Sequence, residues 1–170
     1  MKKGVLVVIV SVLAVVFISG CVFFDSAANF QGPGYTPPNF QLVKNSTNEN
    51  ASVLVYQVPN TLSFYVVAAV KDSNNLVLNN ITSSMNSAKL STNNSNVMKS
   101  NETVTIDGLQ AELYTETISL FGVGISFFDV SWHCDNAGLT IFSFGVVNSS
   151  QMSEIKKMLV SIKCHRFIFF

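Results

Sequence analysis

The sequence predicts an α+β fold, an antiparallel sheet of about six strands with two helices packed on it. Three observations carry this. Short apolar, β-branched runs recur from Val53 to Val147 and are mostly joined by turn signals rather than helix-length segments. Two windows, Asn79–Leu90 and Met152–Ile162, place apolar residues at helical spacing instead. Roughly 150 residues follow an apolar leader, the common size of a single domain and enough to bury a core.

The leader comes first, residues 1–20. Lys2 and Lys3 precede an apolar run from Val5 to Ile18, which ends at Ile18-Ser19-Gly20-Cys21. The run is short for a spanning helix, which needs about 20 apolar residues, and suits a cleaved signal. Small residues before a cysteine match a lipoprotein export signal, in which Cys21 is lipidated and becomes the new N-terminus. The alternative is an uncleaved single-span anchor. Both put the remainder outside the cytoplasm, because Lys2 and Lys3 stay on the inner side. Residues 21–40, with Gly32-Pro33-Gly34 and Pro37-Pro38, read as a tether. The domain is expected over residues 41–170.

Within it, Val53–Val58 and Leu62–Val70 form a hairpin around Pro59-Asn60. Asn79–Leu90 is the first helix, capped by Asn79 or Asn80, with Ile81, Met85 and Ala88 on one side. Leu90–Asn101, dense in Ser and Asn, is expected as an exposed loop. Val104–Ile106 and Leu109–Ile118 flank Asp107-Gly108, a type I′ hairpin signal. Leu109, Ala111 and Leu113 face inward there, while Gln110, Glu112 and Glu116 face water. Gly122–Trp132 and Leu139–Val147 are strands joined by the turn Asp135-Asn136-Ala137-Gly138. Ser149 or Ser150 caps the second helix, whose stripe is Met152, Ile155, Leu159 and Ile162.

Composition excludes several functions. The chain has ten basic and ten acidic residues, so loss of Lys2 and Lys3 leaves a slight acidic excess. Nucleic-acid binding, which needs a basic patch, is not expected. Charged residues are 12%, well below the usual ~25%, so the surface is built of Asn, Ser and Thr. N-x-[ST] triplets stand at Asn45, Asn50, Asn80, Asn93, Asn101 and Asn148, each a candidate glycan acceptor in an exported chain. In a chain this rich in Asn, Ser and Thr, such triplets also arise by chance.

With Cys21 lipidated, Cys134 and Cys164 remain, and two cysteines in an exported domain usually pair. A second reading is a zinc site of His133, Cys134, Cys164 and His165. Adjacent strand residues point to opposite faces, which sets His133 and Cys134 apart and argues against it. Free thiols are the third alternative. No G-x-S-x-G, H-E-x-x-H or P-loop is present, and no catalytic residue, metal or cofactor is assigned. Gly122-Val123-Gly124 reads as a strand kink. Glu112 and Glu116 lie about 13 Å apart along a strand, too far for a glycosidase pair at about 5–9.5 Å. Asp129 interrupts an apolar strand and is expected at an edge or turn, with burial the alternative. Phe127, Phe128, Trp132, Phe142 and Phe144 are expected mostly in the core, the alternative being that a few line a ligand cleft between sheet and helix, and the apolar tail Arg166–Phe170 has no assigned role.

The order Thr105-Ile106-Asp107-Gly108, a strand pair, Asp135 to Gly138, a strand and Ile155-x-x-Met158-Leu159-x-Ser161-Ile162-Lys163 resembles the PsbP-like fold, over Val53 to Cys164. It is most similar to small archaeal lipoproteins of that type. The usual Pro-x-x-Trp is replaced by Pro59-Asn60-Thr61-Leu62. The resemblance implies an α/β/α sandwich and an accessory, assembly or binding role without a cofactor. The expected function is therefore that of an outward-facing lipoprotein held to the membrane through Cys21. It would act without catalysis on a protein or small-molecule partner that the sequence does not identify. The alternatives are a structural, glycosylated envelope protein and an unrecognised enzyme.

Overall fold

The structure, a computed structural model, describes residues 30, 32–48, 50–72, 77, 79, 80, 83, 97–120, 122–135 and 137–164. Among the described residues there are seven strands: β1 (Gln41–Thr47), β2 (Ala51–Gln57), β3 (Phe64–Lys71), β4 (Val97–Ile106), β5 (Leu109–Leu120), β6 (Val123–Cys134) and β7 (Leu139–Asn148). They form one sheet in the order β1-β2-β3-β7-β6-β5-β4, with every neighbouring pair antiparallel. The chain makes a three-stranded meander, starts again at the far edge and returns through four strands until β7 lies beside β3. A 3₁₀ turn at Ser149–Gln151 leads into helix α1 (Met152–Val160).

This corrects the expected α+β sandwich of about six strands and two helices. The molecule is mostly β, seven strands with one short helix described over its whole length. Of the helix expected at Asn79–Leu90, Asn79, Asn80 and Ser83 are helical, and the rest lies outside the described residues. The leader, Cys21, Asn93, His165 and the tail Arg166–Phe170 also lie outside them.

The added strand is β1. All seven of its residues are exposed, so it has no buried-exposed alternation to announce it. It exists because β2 pairs with it, through a register shift between Leu42 and Lys44. β4 was expected to start at Val104 but starts at Val97. Met98 to Thr103 are exposed, and their strand form is templated by the long partner β5, from Val97 opposite Ile118 onward. The Asp107-Gly108 turn has the expected form, with φ of 50° and 82°, as a type I′ pair requires.

The core lies on one face. Register places Tyr65, Val67 and Ala69 of β3 level with Gly145, Ser143 and Ile141 of β7, and these with Phe128, Val130 and Trp132 of β6. Leu54, Tyr56, Ala111, Leu113, Val104 and Ile106 extend the same face toward both edges. Ile155, Met158, Leu159 and Ile162 descend on it, each with no exposed surface. Burying a side chain of this size is worth about 1.5–3 kcal/mol. Phe30 and Phe40 close the β2–β3 end, with the Phe40 ring 5.1 Å from that of Tyr65 and Tyr56 stacked on Tyr65 at 4.6 Å.

Ser149 and Ser150, expected as the helix cap, lie inside the 3₁₀ turn that precedes α1, and Asn148 caps that turn. Asn148 leaves β7 in extended conformation, its Oδ1 accepts the Ser150 N–H, and the Gln151 side chain accepts the Asn148 N–H. Gly124 opposes this corner, where a β-carbon would meet Ser149 Oγ at 2.2 Å. Gly145 is more constrained. A β-carbon there would come to 2.4 Å from the Phe64 carbonyl oxygen and 2.8 Å from the Phe128 ring. Gly145→Ala is expected to destabilise the fold by about 1–3 kcal/mol, the usual cost of overpacking a core, read from the midpoint of a urea unfolding curve.

Candidate functional site

Three groups of side chains organise the surface around the sheet. The first is at the end where β6 stops and β7 begins. Cys134 and Cys164 are joined by a disulfide with a Cα–Cα distance of 5.8 Å. Cys134 sits on the core face opposite Leu139 and is 1% exposed. The bond therefore ties the segment after α1 to the end of the sheet. Asp107, from the β4–β5 turn, braces the same segment: one carboxylate oxygen accepts the Cys164 N–H at 2.8 Å and the other pairs with Lys163 at 3.2 Å. A cleft of about 170 Å³ lies there, lined by Asp107, Leu109, Cys134, Asp135 and Cys164. It is smaller than the roughly 300 Å³ at which small-molecule sites begin.

His133, next to Cys134, points to the opposite face and meets Thr140 across the β6–β7 pair. The Thr140 hydroxyl donates to Asp72 Oδ2 at 2.9 Å, and His133 Nδ1 lies 3.0 Å from the same hydroxyl. With its one proton given to Asp72, Thr140 Oγ1 accepts from His133, so Nδ1 carries a hydrogen. Asp72 Oδ2 also accepts the Val77 N–H at 3.1 Å, and Asp72 donates its own N–H to the Gly138 carbonyl at 2.8 Å. His133 Nε2 lies 3.6 Å from the exposed carboxylate of Asp135. A buried chain of polar atoms thus links β6, β7, the end of β3 and the start of the crossover. The two cysteine sulfurs of the zinc alternative are committed to each other and face away from His133. Among the described residues no three His, Cys, Asp or Glu side chains gather closely enough to hold a metal ion.

The second group is on the outer face of the sheet. Phe142 and Phe144, stacked at 6.4 Å, and Val146 are half-buried beside the buried Val66 and Ala68. Toward β4 the same face turns polar. Tyr114 donates to Glu116 at 2.6 Å, Lys99 pairs with Glu116 at 3.3 Å, and Asp129 stands directly opposite Tyr114. Burial, then the bond to Glu116, raises the Tyr114 pKa above the ordinary phenol range, which keeps its hydroxyl a donor. Asp129 is therefore half-buried inside a central strand, not at the edge or turn expected. Phe128 and Trp132 are core residues as expected, whereas Phe127, Phe142 and Phe144 belong to this outer face.

The third group fastens the stretch before β1. Gly34 N–H donates to the Ser161 carbonyl at 3.3 Å, and Tyr35 N–H donates to Ser161 Oγ at 2.9 Å. The Tyr35 hydroxyl donates to Glu154 of α1, which also holds Lys157 at 2.7 Å. The bonds from Lys157 and Tyr35 hold the Glu154 carboxyl below its usual range. Residues 32–40 of the expected tether thus run against α1 and β2.

Of the sequence-predicted acceptors, Asn45 on β1 and Asn101 on β4 are exposed, as is Asn80. Asn50 is half-buried before β2, and Asn148 is half-buried as the helix cap. Asp72, Thr140, Tyr35 and Glu154 were not anticipated. Thr140 and Asp72 lie 68 positions apart, and only strand register brings them together.

Two outcomes are expected. Cys164→Ser, or the wild type in excess dithiothreitol, loses about 3–4 kcal/mol in denaturant melts, since the closed loop has 30 residues. Thr140→Val, which keeps the shape but removes the hydroxyl that joins Asp72 and His133, loses about 1–3 kcal/mol and speeds amide exchange at Val77. No family model and no curated protein matches the chain.

Proposed function

We propose that this chain is an outward-facing membrane lipoprotein whose globular domain acts as a non-enzymatic binding or accessory module. The observation that carries the reading is the Cys134–Cys164 bond in a chain that begins with a basic, apolar leader ending at Cys21. Disulfides form and persist in oxidising compartments and are rare in reducing cytosol. Two acyl chains on Cys21 would anchor the domain stably, where one holds it only marginally. The outer face offers the partner a surface, with half-buried Phe142 and Phe144 beside Tyr114, Glu116 and Lys99. Aromatic groups beside a polar rim are the usual make-up of interface patches.

Membrane fractions from cells expressing the full chain test the reading. The N-terminal peptide is expected to begin at Cys21 and to carry acyl mass, and Cys21→Ser is expected to abolish both. Recovery of the chain in cytosol, unprocessed and with reduced thiols, overturns the proposal.

A further inference from the structure

An open sheet has two edges, and each exposes a row of backbone groups that can pair with another chain. Among the described residues the edges are β1 and β4. Both have apolar side chains in water: Leu42 and Val43 are 49% and 55% exposed, and Met98 is 78% exposed. The chain has few charges with which to guard them, at 12% of its residues.

Each edge strand holds one N-x-T triplet, Asn45-Ser46-Thr47 on β1 and Asn101-Glu102-Thr103 on β4. Asn80 is exposed but lies off the sheet, and the acceptors Asn50 and Asn148 sit differently. Ser52, the hydroxyl of the Asn50 triplet, has no exposed surface and bonds Thr47. The Asn148 side chain accepts the Ser150 N–H and hydroxyl as a cap. In both edge triplets the strand repeat puts the asparagine and the threonine on the same side. All four of these residues are exposed. Thr47 Oγ1 donates to Asn45 Oδ1 at 3.0 Å, and Asn101 Nδ2 reaches Glu112 Oε2 on β5 at 3.2 Å. Neither asparagine is needed to hold the core. Asn45 lies about 7 Å along the strand from Val43, and Asn101 about 10 Å from Met98.

We propose that Asn45 and Asn101 carry N-linked oligosaccharides, one at each edge of the sheet, which keep the edge strands from pairing with other chains. The proposal rests on the export reading. The donor is a lipid-phosphate-linked oligosaccharide presented by a transferase of the exporting cell. Asparagine Nδ2 forms a bond to the anomeric carbon, the anomeric C–O bond to phosphate breaks, and the lipid phosphate leaves with the electron pair. One Nδ2 proton passes to a base on the transferase.

The test uses the full chain isolated from membranes of the cells that natively produce it. Peptide mass spectrometry is expected to find sugar mass on Asn45 and Asn101, with Asn50 and Asn148 bare. A Thr47→Ala, Thr103→Ala variant keeps both asparagines and removes both triplets. Made in the same cells, it is expected to keep the wild-type disulfide but to sediment as larger species at concentrations where the wild type is monomeric. Bare Asn45 and Asn101 in protein with an acylated Cys21 overturn the glycan proposal and leave the export reading standing. Bare asparagines in cytosolic, unprocessed chain overturn both. Glycans on both residues with a variant that stays monomeric overturn the edge-guarding role.

Discussion

Burial of one sheet face beneath a nine-residue helix is the arrangement on which the other contacts depend. A helix of that length is not stable alone in water, because nucleation is costly and few bonds follow it. Its order must come from its surroundings. Ile155, Met158, Leu159 and Ile162 supply the buried side, and Asn148 and Gln151 close the 3₁₀ turn that leads into it. The Cys134–Cys164 bond and Asp107 fix the segment beyond the last turn. The Gly34–Tyr35 strap reaches α1 from the other end of the chain and bonds both Ser161 and Glu154. Removing any one of these leaves the apolar stripe in place but loosens the element that carries it.

The two faces of the sheet differ in consequence. The inner face packs against α1, Ile162, Phe30 and Phe40. The outer face grades from Val66 and Ala68 through the phenylalanine pair to the Tyr114–Glu116–Lys99 group. The His133–Thr140–Asp72 chain marks its far end and ties three strands to the start of the crossover. The side chains that hold α1 and those that face outward are therefore different sets, which lets the outer face vary without disturbing the inner one.

What could be read from the sequence follows the physics of burial. β2, β3, β6 and β7 announce themselves because their apolar residues are held inside, and Asp107-Gly108 because only residues tolerant of positive φ suit that turn. β1 and the first half of β4 could not be read, since an exposed edge strand is specified by its neighbour rather than by its own hydrophobic period. The Cys134–Cys164 pairing was legible because two cysteines leave one partner each. Asp72 with Thr140, and Tyr35 with Glu154, were not, because each joins residues distant in the chain through register or packing.

The position of β7 between β3 and β6 has a kinetic implication. Ser143 bonds the Val66 carbonyl across 77 residues, so the two meanders can join only after nearly the whole polypeptide is present. A chain threaded through a membrane from its N-terminus would deliver β1–β3 first, with the inner side of β3 unsatisfied until the last strand arrives. Until then β3 is paired with β2 on one side only and presents an open apolar edge to its surroundings. The chain's survival in that interval depends on how quickly the C-terminal third emerges.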